Sequence, residues 1–275
     1  MKVQMALSQR EFIPGDKKSN IQRMEEDIEL CKRKKPRTNL VVFPELSATG
    51  YFLEPALRDV AEERFGSTFQ RMSTAAKREG LYLLYGYVEK DTSDHLYNST
   101  MLLDPNGQCI AHYRKIHLTP FEKEFFKGGD APVVVDTPIG RIALLICWDL
   151  AFPEYSAYLS KEGVELVLAP SAWESPYEGP FARFASARAI DTTAYVATCN
   201  HKGQSGNLSF FGQSRVYNPD GTKVALFENI QEKWMVSTID YDVIKKWKQR
   251  FFTMNDDRRT DVFERRESYA NQKNR

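Results

Sequence analysis

A thiol, a carboxylate and a group of cations stand at the ends of expected strands in this sequence, and together they could carry out amide chemistry. The thiol is Cys147, which closes Arg141-Ile142-Ala143-Leu144-Leu145-Ile146-Cys147 and is followed at once by Trp148 and Asp149. The carboxylate is Glu45, reached through Leu40-Val41-Val42-Phe43-Pro44. The cations lie in Tyr113-Arg114-Lys115-Ile116-His117-Leu118. A thiol must lose its proton to attack a carbonyl, a carboxylate can take that proton, and a cation can hold the oxyanion that forms. Each residue alone has a plainer use. A free cysteine is most often a small buried apolar group, Glu45 could cap a helix, and Lys115 could be an exposed strand-end charge. Their shared placement argues otherwise, because an unpaired buried carboxylate costs on the order of several kcal/mol. Two more apolar runs end as abruptly, at Pro170-Ser171-Ala172-Trp173 and at Cys199-Asn200.

The elements that must position these groups follow from periodicity. Short apolar runs predict strands at Val3–Ser8, Leu40–Phe43, Leu81–Val88, Asn98–Leu103, Cys109–Lys115, Val133–Val135 and Leu166–Ala169. A strand into Cys147 is bounded by Gly140 and Pro153. Later strands are expected at Tyr195–Thr198, around Phe210–Tyr217, at Val224–Phe227 and at Trp234–Ile239. Helical spacing with charges between predicts Asn20–Lys34, Ser67–Arg78, Pro153–Glu162, Phe181–Thr192 and a last helix near Val243–Phe251. The stretch Ile116–Pro132 has no period, and connections that long are more often functional than filler. Strands alternate with helices in the first and middle thirds and hairpins fill the gaps. The expected fold is therefore α/β, with helices on outer faces and two sheets sharing a core. No composition break divides the 275 residues, so one domain over 1–275 is expected, with 252–275 a polar tail.

Composition narrows the partners. Lys plus Arg number 38 against 37 acidic residues, a balance that gives no reason to expect nucleic acid or an anionic membrane. No apolar run approaches the ~20 residues of a membrane span, and the first residues turn polar too soon for a signal peptide. The four cysteines, Cys31, Cys109, Cys147 and Cys199, are far apart and form no Cys-x-x-Cys pair. Neither a metal site nor a disulfide framework is expected, and the cysteine usage suits a cytoplasmic protein with reduced thiols.

Phe43-Pro44-Glu45, Tyr113-Arg114-Lys115-Ile116-His117-Leu118 and Cys147-Trp148-Asp149-Leu150-Ala151-Phe152-Pro153-Glu154 resemble, in order and separation, the three signature blocks of the nitrilase superfamily of carbon–nitrogen hydrolases. The tail segment Asp257-Arg258-Arg259-Thr260-Asp261-Val262-Phe263 is similar to a C-terminal element common there. The resemblance implies a four-layer α-β-β-α sandwich, no cofactor, a small-molecule amide as partner, and a homodimer or larger assembly. The Asp/Arg density of Asp256–Phe263 suits a strap at such an interface, the alternative being a loose tail. It also implies roles: Glu45 as general base, Lys115 as oxyanion stabiliser, and Cys147 as the nucleophile that forms a thioester. A second glutamate follows the lysine in that family. Glu122 and Glu124 both offer themselves, and Glu122 fits the spacing better. Trp148, through its backbone N–H, together with Tyr51, Trp173 and Asn200, are the expected oxyanion and substrate-binding residues. Cys147-Trp148-Asp149 in place of Cys-Trp-Glu points toward amides rather than nitriles. Relatives acting on ω-amides or carbamoyl compounds keep an arginine shortly after the cysteine, where this chain has Ala151. An N-carbamoyl hydrolase or ω-amidase is thus the second expectation, and a catalytically inactive binding module the third.

Overall fold

Alternation along two short strands sets the layering. Strand β1 (Lys2–Ser8) is followed by helix α1 (Lys17–Lys34) and strand β2 (Leu40–Val42). Met5, Leu7, Leu40 and Val42 point into one core, while Ala6, Val41 and Phe43 join Met24 and Ile28 of α1 in another. The period of two thus gives each strand one face for a second sheet and one for helices. The computed structural model describes residues 1–224, 228–230, 233–250, 252–259 and 261–262.

The chain continues through α2 (Leu57–Val60), α3 (Ser67–Glu79), β3 (Tyr82–Lys90), β4 (Leu96–Leu103), β5 (Cys109–Arg114), β6 (Val133–Thr137) and β7 (Gly140–Leu144). Then come α4 (Pro153–Lys161), β8 (Leu166–Ser171), α5 (Glu178–Thr192), β9 (Tyr195–Asn200), β10 (Lys202–Ser205), β11 (Leu208–Phe211) and β12 (Arg215–Tyr217). Strands β13 (Glu228–Ile230) and β14 (Trp234–Asp240) and helix α6 (Asp242–Arg250) follow. The strands form a seven-stranded sheet in the order β13-β14-β1-β2-β3-β4-β5 and a five-stranded sheet in the order β12-β9-β8-β7-β6. In each sheet three strands run parallel, β1-β2-β3 and β7-β8-β9, joined by helical crossovers, and the outer strands add antiparallel. Helices α1 and α3 cover the first sheet. Tyr155 and Leu159 of α4 and Phe181, Ala185 and Ala189 of α5 pack with the second. The fold is the expected α-β-β-α sandwich.

Three local expectations change. The strand into Cys147 pairs only through Leu144, and Cys147 opens a 3₁₀ turn over Cys147–Ala151 instead of ending the strand. The β10–β11 hairpin was not foreseen because Lys202-Gly203-Gln204-Ser205 carries no apolar alternation. The four-residue helix α2 was also unforeseen, being too short for a period. The strand expected over Val224–Phe227 lies largely outside the described residues, as do Phe251 and the tail from Phe263 onward. The described part of the tail lies on α4: Arg258 Nη1 donates to the Ala157 carbonyl at 3.0 Å, and Ser160 Oγ is hydrogen-bonded to Asn255 Oδ1.

Candidate active site

Each sheet delivers its share of the site from a strand end. After β2 the chain turns at Pro44-Glu45-Leu46, with Leu46 at φ 48°. That turn lies so close to β3 that a Cβ at Gly86 would collide with the Leu46 backbone, which accounts for glycine in the middle of a buried strand. Lys115 prolongs β5 by one more rung, its N–H donating to the Asn98 carbonyl at 2.8 Å. Glu122 begins a 3₁₀ turn in which its carboxylate accepts from the Thr119 N–H at 2.9 Å and its own N–H donates to Thr119 Oγ1 at 3.3 Å. Cys147 sits at φ 49° at the start of its turn. Non-glycine residues held in the left-handed region cost roughly 1–3 kcal/mol each and persist where the surroundings over-determine them.

These elements place one cation between two carboxylates. Lys115 Nζ lies 2.8 Å from Glu45 Oε1 and 2.7 and 2.8 Å from the two Glu122 oxygens. All three side chains are fully buried. Asn98 Nδ2 donates to Glu45 Oε1 at 2.7 Å and to Glu122 Oε1 at 3.2 Å, and Tyr51 OH donates to Glu122 Oε1 at 3.3 Å. The second oxygen of Glu45 has no hydrogen-bond partner among the described residues, and the neighbouring Cys147 thiol helps to lower the pKa of this carboxylate. The Ala172 backbone N–H approaches the sulfur.

The charges divide the two glutamates. Burial pushes Glu45 up to about 7, with Lys115 pulling the other way and the Glu122 charge adding to the rise. Burial acts on Glu122 too, but its closer grip on Lys115 and the Thr119 N–H hold its pKa below the usual carboxylate value. Burial works against the Lys115 ammonium, and Glu122 and Glu45 more than offset it, so Lys115 stays charged. Burial and the Glu45 charge push the Cys147 thiol well up. The resting arrangement is a neutral thiol beside a carboxylate of near-neutral pKa, which suits proton transfer during attack rather than a preformed thiolate.

Asp149 joins the halves. Its Oδ2 accepts from Tyr113 OH at 2.8 Å and from the Ile146 N–H at 2.9 Å; its Oδ1 accepts from the His117 N–H at 2.9 Å and contacts His117 Nδ1 at 2.8 Å. The cysteine turn is thereby tied to both sides of Lys115. Asn200 takes a different place from the one expected. Its side chain accepts from the Trp173 N–H at 2.7 Å and donates to the Trp173 and Gly212 carbonyls at 3.0 and 2.9 Å. With its amide spent on backbone, Asn200 braces the turn after β8 and is absent from the cavity wall. Two residues escaped the sequence reading. Asn98 was legible only as a polar residue within a buried strand. His201, buried next to Asn200, makes a 2.5 Å contact from Nε2 to the Glu45 carbonyl, and burial lowers its pKa to about 4.

Cys147 opens onto a cavity of about 520 Å³ whose wall includes Tyr51, Trp148, Trp173 and Glu174, with exposed Phe121 and Tyr177 contributing as well. Trp148 and Trp173 pack ring to ring at 5.6 Å, and Trp173 meets Phe184 at 6.1 Å. Of the expected substrate-binding residues, Tyr51, Trp148 and Trp173 therefore line the cavity. Among the described residues no Lys or Arg lines it.

The carbon-nitrogen hydrolase family model matches residues 3–249. The chain belongs to the carbon–nitrogen hydrolase family. It is 31% identical over 268 residues to a probable nitrilase of Schizosaccharomyces pombe, covering 96% of this chain and 98% of that one. It is 32% identical to an (R)-stereoselective amidase of a Pseudomonas species, over 89% of this chain and 87% of the relative. Among solved structures, Saccharomyces cerevisiae Nit3, a member of branch 10 of the nitrilase superfamily, superposes with a TM-score of 0.83 at 28% identity, over 91% of this chain and 94% of that one.

Within this carbon–nitrogen hydrolase the two candidate glutamates are unequal: Glu122 is buried on Lys115 and Glu124 is exposed. Glu122→Gln should lower turnover by about 10²–10⁴-fold, the usual contribution of an acid–base group, while iodoacetamide still labels Cys147. Glu124→Gln should be mild. Parallel turnover and labelling measurements check this, and the reverse ranking would show that Glu124 holds the role.

Proposed function

We propose that this protein is an amidase that hydrolyses the C–N bond of a small amide through a thioester on Cys147. The observation that carries the reading is Lys115 Nζ fixed at 2.8 Å from Glu45 and 2.7 Å from Glu122, beside a thiol that lines a cavity. Cys147 Sγ attacks the amide carbon as its proton passes to Glu45. The oxyanion is met by Lys115 and by the Trp148 backbone N–H. Glu45 returns the proton to nitrogen, the C–N bond breaks, and ammonia or an amine leaves. Water then attacks the thioester carbon, giving its proton to Glu45, and the acid departs as the thiol re-forms. Removing one oxyanion donor typically costs ~2.7–4 kcal/mol of transition-state stabilisation. The 3₁₀ turn that begins at Cys147 supports the Trp148 role, because the amides at the start of such a turn lack earlier carbonyls to bond.

The pH profile follows from Glu45. The base works ionised, so kcat/KM should rise with pH along an acidic limb of apparent pKa near the value of about 7 at this carboxylate. Glu122 raises that value as a like charge. In Glu122→Gln the limb should move to lower pH, because loss of a neighbouring negative charge favours ionised Glu45. A profile flat between pH 5 and 8 in wild type would remove Glu45 from the proton-transfer step.

The substrate class is argued from the wall. Among the described residues no Lys or Arg lines the cavity, and Ala151 follows the nucleophile where a carboxylate clamp would stand. A carboxylate left there without a partner is disfavoured. In matched pairs differing only in a free carboxylate, the neutral primary amide should show the higher kcat/KM. Nitriles and carbamoyl compounds of the same skeleton belong in the same panel. A tenfold or greater advantage of the acidic partner would transfer the assignment to ω-amides or carbamoyl acids.

A further inference from the structure

The cavity wall carries one carboxylate with no cation of its own. Glu174 follows Trp173 directly in the turn after β8, and its backbone is fixed at two points: an antiparallel bridge to Phe210 and the Tyr177 N–H donating to its carbonyl at 3.0 Å. It makes no ion pair among the described residues, and the only cation acting on it is Lys115, which Glu45 and Glu122 already hold. Around it, Trp148, Trp173, Tyr177, Tyr51 and Phe184 line the same space. Several π-faces and one carboxylate lining a shared space, with no Lys or Arg among the described residues of that lining, match the requirements of an organic cation.

We propose that Glu174 and the aromatic wall select amides whose far end carries an ammonium group, so that the enzyme acts on aminoamides in preference to neutral or acidic ones. This rests on the amidase reading and deepens it. The amide must reach Cys147 at the buried end, and the ammonium then lies along the wall against Glu174 and the indole and phenol rings. Burial and the Glu122 charge push the Glu174 pKa upward, and a bound ammonium would counter both. A positively charged substrate also complements a site whose four innermost ionisable groups contribute two carboxylates against one ammonium.

The test compares hexanamide, 6-aminohexanamide and 6-amino-6-oxohexanoic acid as substrates of the wild-type protein and of Glu174→Gln at fixed pH and salt. Wild type should favour the aminoamide over hexanamide by about tenfold or more in kcat/KM, roughly the 1.4 kcal/mol that such a ratio represents, with the acid poorest. In Glu174→Gln the advantage should shrink toward unity. An aminoamide no better than hexanamide in wild type overturns the proposal without need of the variant, and so does a preference that survives Glu174→Gln. A second readout separates this inference from the amidase reading. Pentylammonium should slow iodoacetamide labelling of Cys147 more than 1-pentanol does, and Glu174→Gln should abolish the difference. If no amide is turned over, the amidase reading fails, and the labelling result alone upholds or overturns cation binding at Glu174.

Discussion

Cys147→Ala should abolish amide turnover, a loss of about 10⁴-fold or more, the scale seen when a covalent nucleophile is removed from an otherwise intact site. Cys31→Ala and Cys109→Ala should keep most of the wild-type rate. Cys31 lies on the buried face of α1 and donates to Thr38 Oγ1 at 3.6 Å, and Cys109 opens β5, so neither borders the cavity. Loss of a small buried side chain at position 31 acts on stability, at about 1 kcal/mol, rather than on chemistry. Steady-state rates on the three variants, with mass spectrometry of the wild type quenched during turnover, make the check. Substantial hydrolysis by Cys147→Ala, or an acyl adduct on another residue, would refute thioester catalysis here.

Lys115→Met carries the second large effect, and it should appear in both stability and rate. The substitution keeps much of the side-chain volume but leaves Glu45 and Glu122 facing each other in a fully buried space. Removing one partner of a buried ion pair costs about 3–5 kcal/mol, because the remaining charge is left uncompensated. The loss should be greatest where both carboxylates are ionised and should ease as pH falls and they take up protons. Turnover should drop by about 10²–10³-fold or more, since the oxyanion loses its cation. Adding Glu122→Gln to Lys115→Met should restore part of the stability and none of the rate. Denaturation curves at pH 5 and pH 8 with parallel rates test this, and a Lys115→Met protein as stable as wild type at pH 8 would contradict the central role of this charge cluster.

How much of the site can be read in the sequence depends on what each residue's neighbours do. Glu45 and Cys147 are legible because each follows an apolar run, so a charged or reactive group appears where packing alone would call for none. Lys115, preceded by Arg114 at a strand end, was singled out only by the family resemblance. Glu122 needed the resemblance: nothing in Phe121-Glu122-Lys123-Glu124 separates the two glutamates, and only the Thr119 turn shows which one is turned inward. Asn200 was misread because a polar strand end looks the same whether its amide meets a substrate or, as here, the Trp173 and Gly212 backbone. Asn98 and His201 were invisible for the opposite reason. Their partners are Glu45 and Glu122, distant in sequence, and no local pattern reports a contact across 53 or 156 positions. The layers were readable from alternation, while the β10–β11 hairpin, held by backbone pairing between polar residues, carries no such signal.

The split of the site between two sheets bears on how the chain acquires its reactivity. Glu45, Lys115 and Glu122 issue from one sheet and its loops, Cys147 from the other, and Asp149 is the clasp between them. A folding intermediate holding only the first sheet would have its ion cluster but no nucleophile. One holding only the second would expose an ordinary thiol with no base to accept its proton. Assembly of the charge cluster with the thiol therefore requires the face-to-face docking of the sheets, and a chain in which they are apart holds the two halves separately. Recovery of turnover after dilution from denaturant should accordingly lag behind the return of secondary structure, which makes hydrolysis a reporter of sheet docking.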